Sequence, residues 1–250
     1  MLKAKESRNV TPKLLLLPGL LCDEAVWEHQ RSPLSALGEC LIPDYGLLDS
    51  IEAMARQALA LAPSGPLYAV GHSMGGRVAL EIARLAPERL AALVLMDTGT
   101  EPLSPDAALA GQERAKRLAL LDIARGHGMR AMGAQWARGM VHPERLGTPL
   151  FAQILDMIER KTPEIFGAQI NALLNRPDAR SVFAGLKCPT LLVCGRDDAW
   201  SPLSRHEQMQ AVLPGAELAV IEHSGHMSTM EQPEAVTAAL LHWFAAKEQA

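Results

Sequence analysis

A serine between two glycines is the first feature of this sequence whose residue types and spacing could do chemistry. The pentapeptide Gly71-His-Ser-Met-Gly75 has the pattern Gly-x-Ser-x-Gly, and it lies between a short apolar run and a helical pattern. In that context the pattern is typical of a nucleophile elbow, a strained turn that exposes a serine hydroxyl between a strand and a helix. The glycines remove side chains that would collide there, and the start of the helix aims backbone N–H groups at developing negative charge. Ser73 is therefore the predicted nucleophile.

A nucleophilic serine needs a histidine, because its hydroxyl is a weak nucleophile until a neutral imidazole accepts its proton. Of the eight histidines, His226 follows the last predicted strand and is the predicted general base. His72 adjoins the serine and is interpreted as a packed structural residue. His223 is interpreted as a loop histidine, since no third ligand at metal spacing accompanies it and His226. The other histidines receive no catalytic role: His29, His127, His142, His206 and His242.

Three aspartates are candidates for the carboxylate that would orient this imidazole. Asp197 and Asp198 lie directly after one predicted strand, and Asp97 directly follows another. A carboxylate at such a place can hold an imidazole N–H and favour the tautomer whose other nitrogen accepts the serine proton. Asp197 is most simply a turn residue whose carboxylate bonds nearby backbone. On the residues alone, Asp97 and Asp198 both remain candidates.

The elements that must position these side chains alternate, in the amino-terminal half, between short apolar runs and helical patterns. This alternation is the signature of βα units on a parallel sheet. A run such as Leu14–Leu17 is too short and too uniformly apolar for a surface helix, and indicates a strand buried on both faces. The predicted strands are Leu14–Leu17, Cys40–Ile42, Leu67–Val70, Ala91–Met96, Thr190–Cys194 and Leu218–Ile221.

Helices are predicted between these strands. The segment Asp49–Ala62 has apolar side chains at i, i+3 and i+4, with Asp49 as candidate cap and Glu52 at the spacing of a capping box. The others are Ala25–Leu37, Ser73–Leu85, Leu203–Leu213 and Glu234–Ala246.

Between residues 101 and 186 helical patterns continue without strands. Because both flanks belong to one sheet, we interpret this segment as a helical cap (101–186) inserted into a single core domain (1–100 plus 187–250). Insertions over a fixed scaffold set specificity, although the apolar side chains of this segment are more simply explained by packing. Its helices are predicted at Asp106–Arg125, Met129–Arg138, Pro149–Lys161 and Glu164–Asn175, and its candidate pocket residues are Met129, Met132, Trp136, Met140, Phe151, Met157, Ile158 and Phe166.

The serine pentapeptide between strand and helix, with a histidine after the last strand, resembles the α/β-hydrolase superfamily. In particular, the chain is similar to small capped bacterial esterases such as pimeloyl-carrier-protein methyl esterases and enol-lactonases. The resemblance covers nearly the whole chain and is weakest in the segment 101–186. It implies a doubly wound, mostly parallel α/β sheet of about six strands, with the site at the carboxyl ends of the strands.

The resemblance also implies which aspartate is the acid. The family pattern places the acid three residues after a glycine and four before a proline, which selects Asp198 over Asp197 in the segment 195–202. Asp97 remains the rival, because some relatives place the acid after that strand. The implied triad is therefore Ser73, Asp198 and His226.

An oxyanion hole follows from the same resemblance. The family uses the backbone N–H of the residue after the nucleophile and an N–H from the loop after an early strand, which correspond to Met74 and Leu20. Pro18 stands where relatives often have a histidine, but backbone donation does not depend on that side chain. Relatives often begin with two antiparallel strands, and the few residues before Leu14 predict that this hairpin is missing or reduced.

Composition and charge exclude several other classes. Hydrophobic residues make up 48% and charged residues 21%, which is ordinary globular usage. A net charge of −4 and the lack of long basic runs argue against a nucleic-acid partner. No run approaches the roughly 18 apolar residues of a membrane span.

The cysteines and the first residues predict a cytoplasmic location. Lys3, Lys5, Arg8 and Lys13 precede the apolar stretch Leu14–Cys22. Pro18-Gly19 interrupts this stretch and no small-residue cleavage site follows, so a secretory leader is not predicted. None of the cysteines forms a CxxC pair, and free thiols in a reducing compartment are expected. They are Cys22, Cys40, Cys188 and Cys194.

Three classes of function fit these residues. The first is a carboxylic-ester hydrolase for a small or medium ester, lactone or thioester, which implies a small-molecule substrate and no cofactor or metal. The second uses the same triad for carbon–carbon hydrolysis, perhydrolysis or cyanohydrin cleavage, which fold and triad cannot separate from the first. The third is a non-catalytic ligand receptor. Non-catalytic scaffolds of this kind usually lose triad members, and this chain retains all three.

Overall fold

The strands lie side by side in one parallel sheet, in a computed structural model that describes residues 11–248. Along the chain they are β1 (Lys13–Leu17), β2 (Cys40–Leu41), β3 (Leu67–His72), β4 (Leu90–Met96), β5 (Thr190–Gly195) and β6 (Glu217–Ile221). Their order across the sheet is β2-β1-β3-β4-β5-β6. The predicted α/β fold class and the number of strands are confirmed. Every strand pairing in the described residues is parallel.

The central strands are mostly apolar because helices cover both faces of the sheet. The side chains of Leu14–Leu17 are fully buried, as expected for a parallel strand enclosed on both sides. In the register, Leu17 pairs with Gly71, and Met96 pairs with both His72 and Val193. The carboxyl ends of these strands therefore meet at one edge, where the loops that follow them converge.

The helices outside the segment between β4 and β5 lie on two faces of the sheet. They are α1 (Glu28–Leu34), α2 (Ile51–Leu61), α3 (Met74–Leu85), α9 (Leu203–Val212), α10 (Ser228–Glu231) and α11 (Pro233–Glu248). Helix α1 packs against α11, and α2 packs against α3. Strand order reverses after β2, and right-handed crossovers then place these two pairs on opposite faces, which is a doubly wound arrangement.

Two local predictions about these helices are wrong. Ser50, not Asp49, caps α2: its hydroxyl accepts the Ala53 N–H at 3.2 Å, because Ser50 is the last extended residue before the helix. Glu52 does not reach back to the cap, since its carboxylate binds Arg56 one turn ahead. The helix predicted at residues 25–37 is also shorter, because a 3₁₀ turn occupies Glu24–Trp27 before α1 begins.

Five helices lie between β4 and β5, although these two strands are direct neighbours in the sheet. Helix α5 packs against α4 and α6, and α4 packs against α7. The division into a core and a cap at residues 101 and 186 remains our proposal. The inserted helices are α4 (Ala107–His127), α5 (Met129–Trp136), α6 (Pro149–Glu159), α7 (Pro163–Leu174) and the short, unpredicted α8 (Arg180–Ala184).

Two expectations concern the start of the chain. The basic residues Lys3, Lys5 and Arg8, and most of the segment in which a leading hairpin would lie, fall outside the described residues. Within residues 11–248, none of the helices combines the length and apolarity needed to cross a membrane.

Candidate active site

Ser73 lies on a strained turn between β3 and α3. Its backbone has φ 55° and ψ −116°, a conformation that side-chain-bearing residues rarely adopt and that costs roughly 1–3 kcal/mol. The neighbouring glycines are required by close backbone approach. A Cβ on Gly71 would lie 2.3 Å from the Gly75 carbonyl oxygen, and a Cβ on Gly75 would lie 2.0 Å from that of Leu17. The turn is fixed by two hydrogen bonds, from Ser73 N–H to the Met96 carbonyl and from the Thr98 hydroxyl to the Ser73 carbonyl.

The structure brings the three predicted triad residues into one hydrogen-bonded chain. His226 Nε2 lies 2.8 Å from Ser73 Oγ, and His226 Nδ1 lies 2.8 Å from Asp198 Oδ2. These residues come from the loops after β3, β5 and β6. Because Nδ1 faces a carboxylate, it carries the proton in the neutral ring, and Nε2 is then free to accept the serine proton.

Asp198 is buried, and its environment favours the charged form. Its Oδ1 accepts the N–H groups of Trp200 at 2.8 Å and Ser201 at 2.9 Å, which leaves Oδ2 for His226. Burial by itself would raise the pKa of this carboxyl. The attraction of His226 and these hydrogen bonds outweigh burial, so the pKa of Asp198 lies below its ordinary value. An ionised carboxylate therefore faces the imidazole.

Asp97, the rival acid, is fully buried but does not bond to His226. Its Oδ1 accepts the Gly195 N–H at 2.9 Å and its Oδ2 accepts the Ser228 hydroxyl at 2.5 Å. Burial, with repulsion by Asp198, raises the pKa of Asp97 well above its ordinary value. The carboxyl thus joins the ends of β4 and β5 to the loop that carries His226.

Asp197 lies in the predicted turn, but its carboxylate does not bond the nearby backbone. It faces outward, 3.8 Å from His142 Nε2. The carboxylate that does accept backbone N–H groups in this segment is that of Asp198. The prediction for the Asp197 side chain is therefore wrong, because its neighbour takes the turn's free donors.

His226 is buried, and its pKa reflects two opposing effects. Burial lowers the pKa of the imidazole, but the charge and hydrogen bond of Asp198, with Asp97 and Glu231 further away, outweigh it and raise the pKa above the ordinary value. Its ring packs against that of Trp200, with centroids 5.1 Å apart. The backbone is held on both sides, since His226 N–H donates to the Met140 carbonyl at 2.7 Å and its own carbonyl accepts from His72.

His72 is a packed residue that supports the loop carrying His226. Its Nε2 lies 2.7 Å from the His226 carbonyl oxygen and therefore carries the proton. Burial, with repulsion by His226, lowers the pKa of His72 to about 4, so the ring is neutral at neutral pH. His223, by contrast, is exposed, with φ 53°. Neither histidine contacts the Ser73 hydroxyl within the described residues.

Glu231 is a site residue that the sequence analysis did not find. Its buried carboxylate accepts three backbone N–H groups, from Gly225 at 3.0 Å, Met227 at 3.1 Å and His142 at 2.7 Å. It therefore ties the His226 loop to the segment that follows α5. No local pattern marks this glutamate, because its partners include a residue 89 positions away.

Both predicted oxyanion donors lie beside Ser73. Met74 N–H is the first of helix α3, and the helix itself leaves that group without a partner. Leu20 N–H forms no hydrogen bond within residues 11–248, whereas the next amide, Leu21 N–H, is held at 2.9 Å by Gln169 of α7. The loop lies against Ser73, since a Cβ on Gly19 would be 3.2 Å from Ser73 Cβ.

The buried groups near Ser73 provide neither a reactive thiol nor a suitable site for a metal ion. Burial and the charge of Asp23 raise the pKa of Cys22 to about 12, so this thiol is not a nucleophile. Asp97, Cys194 and Asp198 have potential ligand atoms within 4.8 Å of one another. However, Asp198 is committed to His226, and burial raises the pKa of both other groups, which disfavours the charged forms that a metal ion needs.

A cavity of about 980 Å³ opens above Ser73. One wall is aromatic, with Trp136 between Trp200 at 5.2 Å and Phe166 at 6.1 Å, measured between ring centroids. Of the pocket residues considered from sequence, Trp136, Met140 and Phe166 line the cavity. The others pack within or against the core: Met129, Met132, Phe151, Met157 and Ile158.

A serine on a sharp turn after a parallel strand, bonded to a histidine and an aspartate from later loops, is the arrangement found in one class of hydrolases. The chain belongs to that class, the alpha/beta hydrolase family, whose sequence profile matches residues 14–239. The resemblance seen in the sequence is confirmed.

The similarity to individual proteins extends over nearly the whole chain. A putative carbamate hydrolase RutD of Pseudomonas savastanoi pv. phaseolicola is 26% identical, with 89% of each chain covered. A pimeloyl-[acyl-carrier protein] methyl ester esterase of Nitrosomonas europaea is 27% identical over 92% of this chain and 94% of its own. A solved thermophilic esterase of Thermogutta terrifontis, described as malate bound, has a TM-score of 0.83 at 28% identity, covering 94% of this chain and 90% of its own.

Proposed function

We propose that the protein is a serine hydrolase that cleaves a small or medium carboxylic ester, lactone or thioester through an acyl-enzyme. The observation that carries this proposal is the chain of two 2.8 Å contacts from Asp198 through His226 to Ser73, at the floor of a cavity. The esterase names of the Nitrosomonas and Thermogutta relatives support the ester class.

Acylation follows from the positions of these atoms. Ser73 Oγ attacks the substrate carbonyl carbon while His226 Nε2 accepts the hydroxyl proton, and the ionised Asp198 stabilises the resulting imidazolium. The N–H groups of Leu20 and Met74 receive the negative charge that develops on the carbonyl oxygen. His226 then gives its proton to the departing alkoxide or thiolate, which leaves the acyl group on Ser73.

Deacylation repeats these reaction steps with water as the nucleophile. His226 accepts a proton from the water as its oxygen attacks the acyl carbonyl, and returns that proton to Ser73 Oγ as the ester bond breaks. The products are a carboxylic acid and free enzyme. This cycle requires no group beyond the residues named.

The proposed setting is the cytoplasm, with a small-molecule substrate and no nucleic-acid partner. The four cysteines are free in the structure, which supports a reducing compartment. The net charge of −4 supports the absence of a nucleic-acid interface.

The test combines covalent labelling with turnover. A fluorophosphonate probe should label wild-type protein and not Ser73→Ala, and the wild type should release many equivalents of product from p-nitrophenyl acetate, butyrate or octanoate. A receptor would react once per chain and stop. If labelled protein turns over none of a panel of esters, lactones and thioesters, the proposed function is wrong.

A further inference from the structure

The lining of the cavity is rich in cationic side chains. Six basic side chains line the cavity, whereas Glu101 and Glu113 are its acidic residues apart from the buried Asp97. The whole chain carries a net charge of −4, so this excess of positive charge is local. A cleft lined by one sign of charge attracts ligands of the opposite sign. The basic residues are Arg77, Lys116, Arg117, Arg176, Arg180 and Arg205.

Most of these cations already have an anionic partner or lie in solvent. Glu113 binds Arg176 through two contacts of 2.7 and 3.0 Å and also binds Arg117 at 3.0 Å. Arg180 pairs with Asp178, and Arg205 Nε lies 3.8 Å from the Glu101 carboxylate. Lys116 is exposed.

Arg77 is the exception. Its guanidinium has no carboxylate within 4 Å among the described residues, and its one hydrogen bond is from Nη1 to the backbone carbonyl of Glu101 at 2.7 Å. Arg176 Nε donates to the same carbonyl at 3.3 Å, so two guanidinium groups converge on one neutral acceptor. Burial, with repulsion by Arg176 and Arg205, outweighs the more distant attraction of Glu101 and Glu113 and lowers the pKa of Arg77 to about 9, which leaves it charged at neutral pH. The structure thus holds a half-buried cation that has no carboxylate in direct contact among the described residues.

The position of Arg77 connects this unpaired charge to the reaction. It lies four residues after Ser73, in the first turns of α3, so both side chains project from neighbouring positions into the same cavity. Nε and Nη2 have no acceptor within residues 11–248, and a guanidinium presents such paired donors to the two oxygens of a carboxylate. One unpaired guanidinium is balanced by one negative charge, which favours a carboxylate over a phosphate dianion.

We propose that the substrate carries a carboxylate a few bonds from the ester carbonyl, and that Arg77 binds this carboxylate and sets specificity. The inference rests on the proposed function, because it assigns the substrate class of the same site. Half-esters of short dicarboxylic acids are the simplest compounds of this class.

The experiment compares the hydrolysis of each acid with that of an uncharged analogue. The monomethyl esters of succinate, glutarate and adipate are paired with the methyl esters of the corresponding ω-amides, which have nearly the same shape. For at least one chain length the wild type should show a kcat/KM roughly 10–100-fold higher for the acid than for the amide, the range expected of a hydrogen bond between charged groups. Arg77→Gln should bring this ratio close to one, and Arg77→Lys should retain part of it.

The matched control removes the same charge elsewhere. Arg56 lies on the exposed face of α2, outside the cavity. Arg56→Gln should therefore leave the acid-to-amide ratio of kcat/KM at its wild-type value. A wild-type ratio near or below one at every chain length overturns the inference, even if Arg77→Gln does not fold, and so does an unchanged ratio in folded Arg77→Gln. In those cases hydrolysis of the amide esters still supports the proposed function. If neither member of any pair is hydrolysed, the inference fails, and the panel of p-nitrophenyl esters, lactones and thioesters decides the proposed function separately.

Discussion

At the scale of single residues, the environments of the three aspartates decide their roles. Asp198 is ionised and contacts His226, Asp97 is buried and bonds two other donors, and Asp197 faces outward. The spacing typical of the family selected Asp198 over Asp197, because the acid, the glycine before it and the proline after it all lie in one short loop, but it left Asp97 as a rival. Spacing could not reveal Glu231 or Arg77, because their partners lie far away in the chain.

Amide substitutions distinguish Asp198 from Asp97. In Asp198→Asn the amide replaces the acceptor that holds Nδ1–H, so the imidazole loses its useful tautomer and kcat should fall by about 10⁴-fold. In Asp97→Asn the amide oxygen can still accept from Gly195 and its NH₂ can donate to Ser228, so the rate should change little. Steady-state hydrolysis of a chromogenic ester measures kcat for both variants. A crippled but properly folded Asp97→Asn would show that the acid assignment is wrong.

The pKa of His226 predicts the acid limb of the pH–rate profile. Only the neutral imidazole accepts the serine proton, so kcat/KM falls as pH drops through the pKa of the free enzyme. Because Asp198 outweighs burial and raises that pKa, the midpoint should lie above the ordinary histidine value of about 6.5. The residual activity of Asp198→Asn should show a lower midpoint. A wild-type midpoint at or below 6.5 would contradict the electrostatic account.

At the scale of elements, the histidine loop is held from the inserted helices as well as from the sheet. Met140 accepts the His226 N–H, and the segment that follows α5 meets Gly225 so closely that a Cβ there would lie 2.8 Å from His142 N. Glu231 bonds both sides of this junction. Helical spacing predicts which face of a helix is apolar, but it carries no information on such contacts between distant loops.

Glu231→Gln tests this junction. An amide cannot accept at both of its ends, so at least one of the three N–H groups would face an NH₂ group instead of an oxygen. The free energy of unfolding should fall by about 1–3 kcal/mol, and the displaced His226 loop should lower kcat by up to about 100-fold. Urea unfolding and ester turnover measure the two effects.

The control for this change is Glu234→Gln, which alters an exposed glutamate three residues away. The free energy of unfolding of Glu234→Gln should stay within about 0.5 kcal/mol of the wild-type value. Wild-type stability and rate in Glu231→Gln would mean that the junction does not position the histidine.

At the scale of the whole molecule, the sheet, the elbow and the helical insertion act together. The alternation of apolar runs and helices predicted the α/β sheet, because parallel strands buried on both faces leave a simple pattern in the sequence. The charge asymmetry of the cavity could not be predicted, because Arg77, Arg176 and Arg205 come from three separate segments and converge only in the fold. The sheet edge therefore supplies the proposed chemistry, and the segment between β4 and β5 contributes much of the lining of the cavity around it.

The turnover of Ser73→Ala tests the central claim most directly. Removing one hydroxyl removes the proposed nucleophile while the turn, the cavity and the His226–Asp198 pair remain, so the melting temperature should stay near that of the wild type. If Ser73 forms the acyl-enzyme, kcat for a good ester substrate should fall by up to about a million-fold. A folded Ser73→Ala protein that retains a tenth of the wild-type rate would contradict the account.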